Sequence, residues 1–411
     1  MTEVRATRFS PERSIGVIEL RGAELPRLVG CPIADMEART CDEQACRTVP
    51  LQVDERDAAG RWVLDVGSEG ASDEAPEVFD GTDVLLLSVA SLGPAVSPAR
   101  RGVPAVYLEV EDPLDGAHAA VTIQCGIGPS RTNLPPLPDV PRYDPARDEV
   151  KLRHAAIRFA RGMPQELQLG GGENVLDRTK VRARATFVFG WIGIQRNEDD
   201  VQARLLGWRS GPLRTIRIQE QWVRIGWGLR TPIFRSVAFF YPEFVDLPLG
   251  LRLRFPATFF FHDIRIQVYA DFRDLRGWQV WFPEGDHVGV DGRMDETEQS
   301  LNQRSASWFA LRDGHYLVVQ YVGVSESLRS VQRRLLYHDG VGFRLPPEEA
   351  PGELPGIGIE MTDWKNVSGG FHALHGQTWI VPASIDPYRL IRAQQYPLRV
   401  RVEGASEAEP K

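Results

Sequence analysis

Residues 221–282 read QWVRIGWGLRTPIFRSVAFFYPEFVDLPLGLRLRFPATFFFHDIRIQVYADFRDLRGWQVWF, and of the 37 aromatic residues in the chain 16 lie between Trp222 and Phe282. The spacing around those rings decides the class. In an extended backbone Leu249, Leu251, Leu253 and Phe255 point one way while Arg252 and Arg254 point the other. Ile264, Ile266 and Val268 likewise oppose Arg265, Gln267 and Tyr269, and Val223 and Ile225 oppose Trp222 and Arg224. An amphipathic helix needs apolar spacings of three and four, which these segments lack. The stretch therefore predicts the centre of a β-sheet domain, with most of its rings, including Phe255 and Phe259 to Phe261, in the core.

Working outward, short β-type runs punctuated by Gly, Pro and Asp dominate the chain. Strands are expected near Ile15–Leu20, Val49–Val53, Trp62–Val66, Asp83–Val89, Val106–Val110 and Ala119–Cys125. The last two flank Pro113 and Asp115-Gly116, which are hairpin-turn residues. Six prolines between Pro129 and Pro145 mark a stiff, extended linker. Beyond it Glu149–Phe159, Ala183–Trp191, Leu213–Gln219, Trp278–Phe282, Ser307–Leu311, Tyr316–Val322, Gly370–Val381 and Leu398–Val402 continue the pattern. Helices are expected only over Glu198–Leu206, Ser325–Leu336 and Asp386–Gln395. The expectation is an all-β protein: a small N-terminal antiparallel sandwich (1–126), a Pro-rich linker (127–148), a large twisted β-sandwich with few short helices (149–405) and a frayed tail (406–411).

Composition narrows the function classes. A net charge of −8 argues against a general nucleic-acid binder, which must neutralise phosphates with a basic footprint. The longest apolar run, Val84–Ala90, is far short of the ~20 residues that span a bilayer as a helix. Only four basic residues are lysines, so 44 are arginines, the side chain suited to bidentate carboxylate contacts and to stacking on rings. GC-rich codon usage gives the same bias. Met1–Ser10 carries no apolar signal-peptide core. Cys31, Cys41, Cys46 and Cys125 are even in number, lack a CxxC pair and lie in the first third of the chain. Two disulfides in an oxidising compartment, hence a periplasmic or extracellular location, fit that pattern; four free thiols in a reducing one is the alternative.

No HExxH, GxSxG, phosphate-loop or dinucleotide signature is present, and no cofactor is implied. The acidic loop Glu284–Glu296 offers Asp286, Asp291 and Asp295 as oxygen ligands for Ca²⁺, although its spacing departs from that of an EF-hand. The other reading of that loop is a solvated hairpin. The main candidate is the mixed face of the aromatic centre. If adjacent strands align Trp222, Arg224, Arg252, Arg254, Arg265 and Tyr269, with Gln267, on one concave surface, rings would stack on sugars and guanidinium groups would match carboxylates. The plainer alternative is a solvated sheet face, or pairing with Asp246, Asp263, Asp271 and Asp274. Two function classes follow. One is a non-catalytic periplasmic or extracellular protein binding a glycan or a protein partner, as part of a surface assembly. The other is a carbohydrate-active enzyme, a polysaccharide lyase or hydrolase, drawing its acid and base from Tyr241, His262, Tyr269 and Asp271.

Overall fold

The computed structural model describes residues 9–42, 45–67, 71–96, 103–126, 140–187, 192–226, 229–285, 287–342 and 354–403. The protein is all-β, built of antiparallel sheets with a few short helices. Much of the expected linker (127–139), the end of the expected strand at Trp191 (188–191) and the tail lie outside the described residues. No helix among the described residues is long and apolar enough to cross a membrane.

The chain divides into two compact units, the first comprising Met1–Val140, Arg209–Arg214 and Tyr388–Lys411. Within it, Val17–Arg21, Val84–Ser88 and Leu51–Asp54 form one sheet with Val84–Ser88 at its centre. A second sheet runs Arg399–Glu403, Ala105–Glu111, His118–Gln124, Glu37–Cys41 and Cys46–Val49. Leu20, Val53, Leu85 and Leu87 from the first sheet meet Val106, Leu108, Val121 and Ile123 from the second in one core, which makes the unit a sandwich. Both expected disulfides are formed. Cys31–Cys125 closes a separation of 94 residues, and Cys41–Cys46 joins two paired strands across a separation of five.

Two buried arginines stiffen this unit. Arg13 grips Asp112 through Nε and Nη2, each 2.7 Å from a carboxylate oxygen, and donates further from Nη1 to Ala393 O and from Nη2 to Tyr396 O. Burial works to raise the Asp112 carboxyl, but the Arg13 guanidinium and the Leu114 N–H outweigh it and hold the group below its usual range. Arg214, with no exposed surface, donates from Nε to Asp54 Oδ2 at 2.6 Å and pairs with Glu19 at 3.0 Å.

The second unit comprises Pro141–Trp208 and Thr215–Pro387. A four-stranded meander covers Arg142–Asp144, Glu149–Lys151, Ala155–Ala160 and Met163–Leu169. A five-stranded sheet has the order Ile192–Arg196, Leu176–Phe187, Phe261–Phe272, Gly356–Thr362, Gln332–His338. A larger sheet runs from His287–Gly289 through Gln279–Trp281, Trp308–Arg312, Tyr316–Val324, Gly370–Pro382, Phe244–Leu253, Phe234–Phe240 and Thr215–Gly226 to Val201–Ser210. Phe240, Val245, Phe309 and Ile380 of the larger sheet pack with Phe272, Leu335, Ile357 and Ile359 of the five-stranded one. The core thus lies between these two layers, with Val150, Ile157 and Leu167 of the meander joining it.

Two of the three expected helices are replaced by strands. Asn197 caps a single 3₁₀ turn, Glu198–Asp200, and the chain then enters the strand Val201–Ser210. In the second case a 3₁₀ turn, Glu326–Leu328, precedes the strand Gln332–His338, whose Leu335 and Tyr337 alternate into the core. Pairing with Gly356–Thr362 outweighs helix propensity there. The third, Pro387–Gln395, is helical.

The acidic loop after residue 284 leads into a short helix, Glu296–Leu301, closed by a capping box: Asp295 accepts from Glu298 N at 2.8 Å and Glu298 accepts from Asp295 N at 3.0 Å. Glu298 is buried, and so is Asp339, which accepts from Asp291 N and Gly292 N. Burial, reinforced by the Asp339 and Asp295 charges and only partly offset by the Asp295 N–H, pushes Glu298 up to about 7.

The folded state therefore keeps a proton on Glu298 that the unfolded chain has released once the pH passes 4.5. This contribution is complete below that pH and is lost as pH rises through about 7. Glu298→Gln retains the capping acceptor, and it should be more stable than the wild type by up to about 3 kcal/mol near pH ~8, with little difference near pH ~5. Denaturant titrations at the two pH values check this, and an unchanged pH slope would place the titration elsewhere. The disulfides give a second expectation. Loop-closure entropy implies that Cys31→Ala with Cys125→Ala costs about 4–5 kcal/mol, against about 2 kcal/mol for the pair at Cys41 and Cys46. No thiol should react in the denatured, unreduced protein.

Candidate functional site

The arginine face expected from the sequence is divided between two sheets. Arg265, Gln267 and Tyr269 lie on Phe261–Phe272 in the five-stranded sheet, whereas Trp222, Arg224 and Arg252 lie in the larger sheet and Arg254 follows the end of Phe244–Leu253. Because Leu253 and Ile266 both turn toward the shared core, Arg252 and Arg265 occupy opposite outer faces. The single concave surface joining all six residues is not formed. Strands consecutive in sequence are partners in different layers here, since Phe244–Leu253 pairs with Gly370–Pro382 and Phe261–Phe272 with Leu176–Phe187 and Gly356–Thr362. Trp222 and Arg224 are engaged locally: Arg230 lies 5.5 Å over the Trp222 ring, and Arg224 donates to Asp199 O at 2.8 Å.

What the five-stranded sheet does assemble is an open cavity of about 540 Å³ lined by Arg182, Arg184, Arg196 and Arg265, with Gln195, Asn197 and Gln267. The register explains the convergence. Arg184 stands opposite Arg265, Arg182 opposite Gln267 and Gln195 opposite Arg184, so one face of three neighbouring strands points into it. Like charges on paired strands repel unless countered. Two carboxylates supply part of the balance: Glu198 accepts from Arg182 at 2.5 Å, and Glu360 lies 3.3 Å from Arg265 and accepts from Gln267 at 2.8 Å. Arg184 is exposed and has no partner among the described residues, and Arg196 Nε is buried without one. Four guanidinium groups against two carboxylates leave the cavity cationic. Of the acids proposed from sequence as partners, Asp271 is held by Lys180 and Asp274 by Arg276, deeper in the same sheet and in a turn.

Tyr269 sits at the inner end of this face, buried, opposite Gly358. A side chain at 358 would run into Val268 O and the Tyr269 Cβ, so glycine is what lets the two strands close there. Burial pushes the Tyr269 phenol above its usual range, which makes it a poor base at neutral pH. His262 is exposed at the start of its strand, not in the core as its place after three phenylalanines implies.

The larger sheet holds a second constellation that sequence reasoning missed. His375 Nε2 contacts Asp246 Oδ1 across the pair Phe244–Leu253 and Gly370–Pro382. Gln377 lies in register between Asp246 and Tyr321, and Tyr321 pairs with Trp308, so a row of polar and aromatic residues crosses three strand pairs. Asp246 and His375 are 129 positions apart, and only strand register brings them together. Of the three expected metal ligands, Asp286 lies outside the described residues, Asp291 accepts from Arg293 N and Asp295 caps a helix. Among the described residues no group of three or more His, Cys, Asp or Glu side chains is arranged to hold a metal ion.

The expectation that Phe255 and Phe259–Phe261 belong to the core fails at three of the four positions. Phe255, Phe259 and Phe260 are 52%, 59% and 47% exposed, because the strand ends at Leu253 and a turn carries the chain to the other sheet. Phe240, Phe272 and Phe282 are the rings of this stretch that fill the core.

No protein-family model matches the chain, and no curated protein does. Solved structures share its fold. One is an α-mannosidase from Enterococcus faecalis V583, at 10% identity and a TM-score of 0.53, with 95% of this chain and 44% of the other covered. Another is a protein in the Glycosyl Hydrolase Family 38, also from Enterococcus faecalis, at 9% identity and a TM-score of 0.51, with 96% and 46% covered. The chain thus spans less than half the length of either, and at these identities the likeness is one of fold.

Proposed function

We propose that the protein is a non-catalytic binder of glycans that carry carboxylates, acting in the periplasm or outside the cell. The observation that carries this reading is the cavity lined by Arg182, Arg184, Arg196 and Arg265. Arg forks with glutamine and asparagine amides beside them suit a uronate, whose carboxylate takes bidentate bonds and whose hydroxyls take single ones. Fold neighbours described as an α-mannosidase and a Glycosyl Hydrolase Family 38 protein make sugars the first ligand class to try. Two disulfides support an oxidising location. A lyase working in the same cavity is disfavoured, since its lining among the described residues is arginine and amide side chains with no tyrosine, histidine or carboxylate to serve as the base.

A carbohydrate-active enzyme is the second reading, favoured by the His375–Asp246 pair. A carboxylate at Nε2 orients an imidazole for proton transfer, and the Tyr321 ring lies beside Gly323, the residue opposite His375. Such an enzyme would act from the larger sheet, independently of the arginine cavity.

Calorimetric titration with oligogalacturonate and with a neutral mannan separates the cases. Binding of the acidic oligosaccharide alone is expected, weakening with salt. Arg184→Ala or Arg265→Ala should reduce it by about tenfold, or ~1.4 kcal/mol, while stability stays within ~0.5 kcal/mol because both side chains are exposed. Failure of acidic oligosaccharides to bind, or binding unaffected by either substitution, overturns the assignment. Unsaturated products or reducing ends that disappear in His375→Ala would establish the enzymatic reading instead.

A further inference from the structure

We infer that one end of the second unit is a docking surface for an anionic lipid bilayer. Of the twelve large apolar side chains exposed among the described residues, five lie on the segments that meet there: Ile192, Phe255, Phe259, Phe260 and Phe371. Scattered singly, exposed apolar residues need no explanation, but a contiguous patch does. These rings are packed on one another. Phe255 stacks on Phe259 with centroids 5.1 Å apart, Phe260 meets Phe259 edge-on at 4.7 Å, and Phe187 reaches Phe260 and Phe261 at 6.4 and 5.3 Å. Ile192 pairs with Phe187 across the neighbouring strands. Phe371, 65% exposed, stands opposite Arg252, and its ring lies 2.9 Å from where a Cβ on Gly250 would sit. Leu176–Phe187 finishes at this end and Phe261–Phe272 begins there, as do the paired ends of Phe244–Leu253 and Gly370–Pro382.

The charge behind the patch selects the occupant. Arg252 and Arg254 are exposed and have no partner among the described residues, and they immediately precede the turn that carries Phe255, Phe259 and Phe260. Between residues 249 and 262 the sequence holds no carboxylate, and the next acid along the chain is Asp263; Asp363, on the segment that packs against the turn through Val367, is paired with Lys365. A chain of net charge −8 thus turns a locally cationic, apolar end outward. Exposed phenylalanine rings on a turn enter the interfacial layer of a bilayer, and arginines one and three residues before Phe255 stand level with the phosphates, which they bind as bidentate donors. A second copy of this chain fits worse. A two-fold pairing of the patch would set Arg252 and Arg254 against their counterparts with no carboxylate between them. A sugar fits worse as well, because the rings are spent on each other's faces and edges.

The test is co-sedimentation of the full chain with vesicles of phosphatidylcholine alone and of phosphatidylcholine with phosphatidylglycerol, at low and high salt. Binding to the anionic vesicles is expected, at least tenfold weaker on the zwitterionic ones and weakened by salt. Phe255→Ser with Phe259→Ser, and separately Arg252→Gln with Arg254→Gln, should each reduce it by about tenfold or more. Both sets of side chains are exposed, so thermal unfolding should be unchanged, and the binding of acidic oligosaccharides should be retained. No binding to anionic vesicles, or equal binding to both compositions, overturns the proposal. So does a concentration-dependent dimer, seen by light scattering and abolished by the phenylalanine substitutions, which would make the patch a contact between copies.

Discussion

A guanidinium group buried without any exposed surface must be met by carboxylates, or its desolvation would undo the fold around it. Arg214 is in that position. Asp54, also without exposed surface, and Glu19 supply the charge, Trp62 lies 5.0 Å from the guanidinium centre, and the Gln52 side chain accepts from the backbone of both Leu213 and Arg214. Arg209 adds a contact to the same Asp54 and to Glu55. The six residues Arg209–Arg214 are thereby fixed in the first unit although they are drawn from the middle of the chain. The strands on either side, Val201–Ser210 and Thr215–Gly226, depart from that anchored point. A hydrophobic segment could have been placed in several registers, but a buried guanidinium whose Nε and Nη1 must meet Asp54 and Glu19 can be placed in few.

Arginine does two different jobs in this molecule. In the first unit Arg13 and Arg214 are structural, each enclosed by its acceptors. In the second, Arg184, Arg252 and Arg254 lie on the surface without partners among the described residues, while Arg182 and Arg265 meet Glu198 and Glu360. The first kind lowers the energy of one fold, and the second leaves charge for something outside the protein.

The fold class was legible because side-chain alternation is a local property: Leu249, Leu251 and Leu253 against Arg252, or Ile264, Ile266 and Val268 against Arg265, require only that the backbone be extended. The choice of partner strand is not local. Nothing near Arg252 says that its strand joins Gly370–Pro382, or near Arg265 that its strand joins Leu176–Phe187, and the candidate surface failed at that step. The cavity could be read only in part, through Arg265 and Gln267, since Arg182, Arg184 and Arg196 belong to strands more than 60 positions earlier. Phe255 and Phe259–Phe261 misled for another reason. Apolar character in sequence implies burial only where a strand continues, and here Pro256 and the turn interrupt it. His375 and Asp246 left no signal in the sequence, as an isolated histidine and an isolated aspartate in two strands look like any others.

The first unit is not a continuous piece of chain. Its edge strand Arg399–Glu403 pairs with Ala105–Glu111, and Arg13 is held in part by the carbonyls of Ala393 and Tyr396. During synthesis from the N-terminus, the strand Ala105–Glu111 therefore emerges nearly three hundred positions before the strand that completes its sheet. Until then the strand Ala105–Glu111 has an open edge, of the kind that invites pairing with another chain. The second unit, whose segments end at Pro387, has all its residues available earlier. The order of folding is thus set against the order of the sequence: the unit that starts first is the one that must wait.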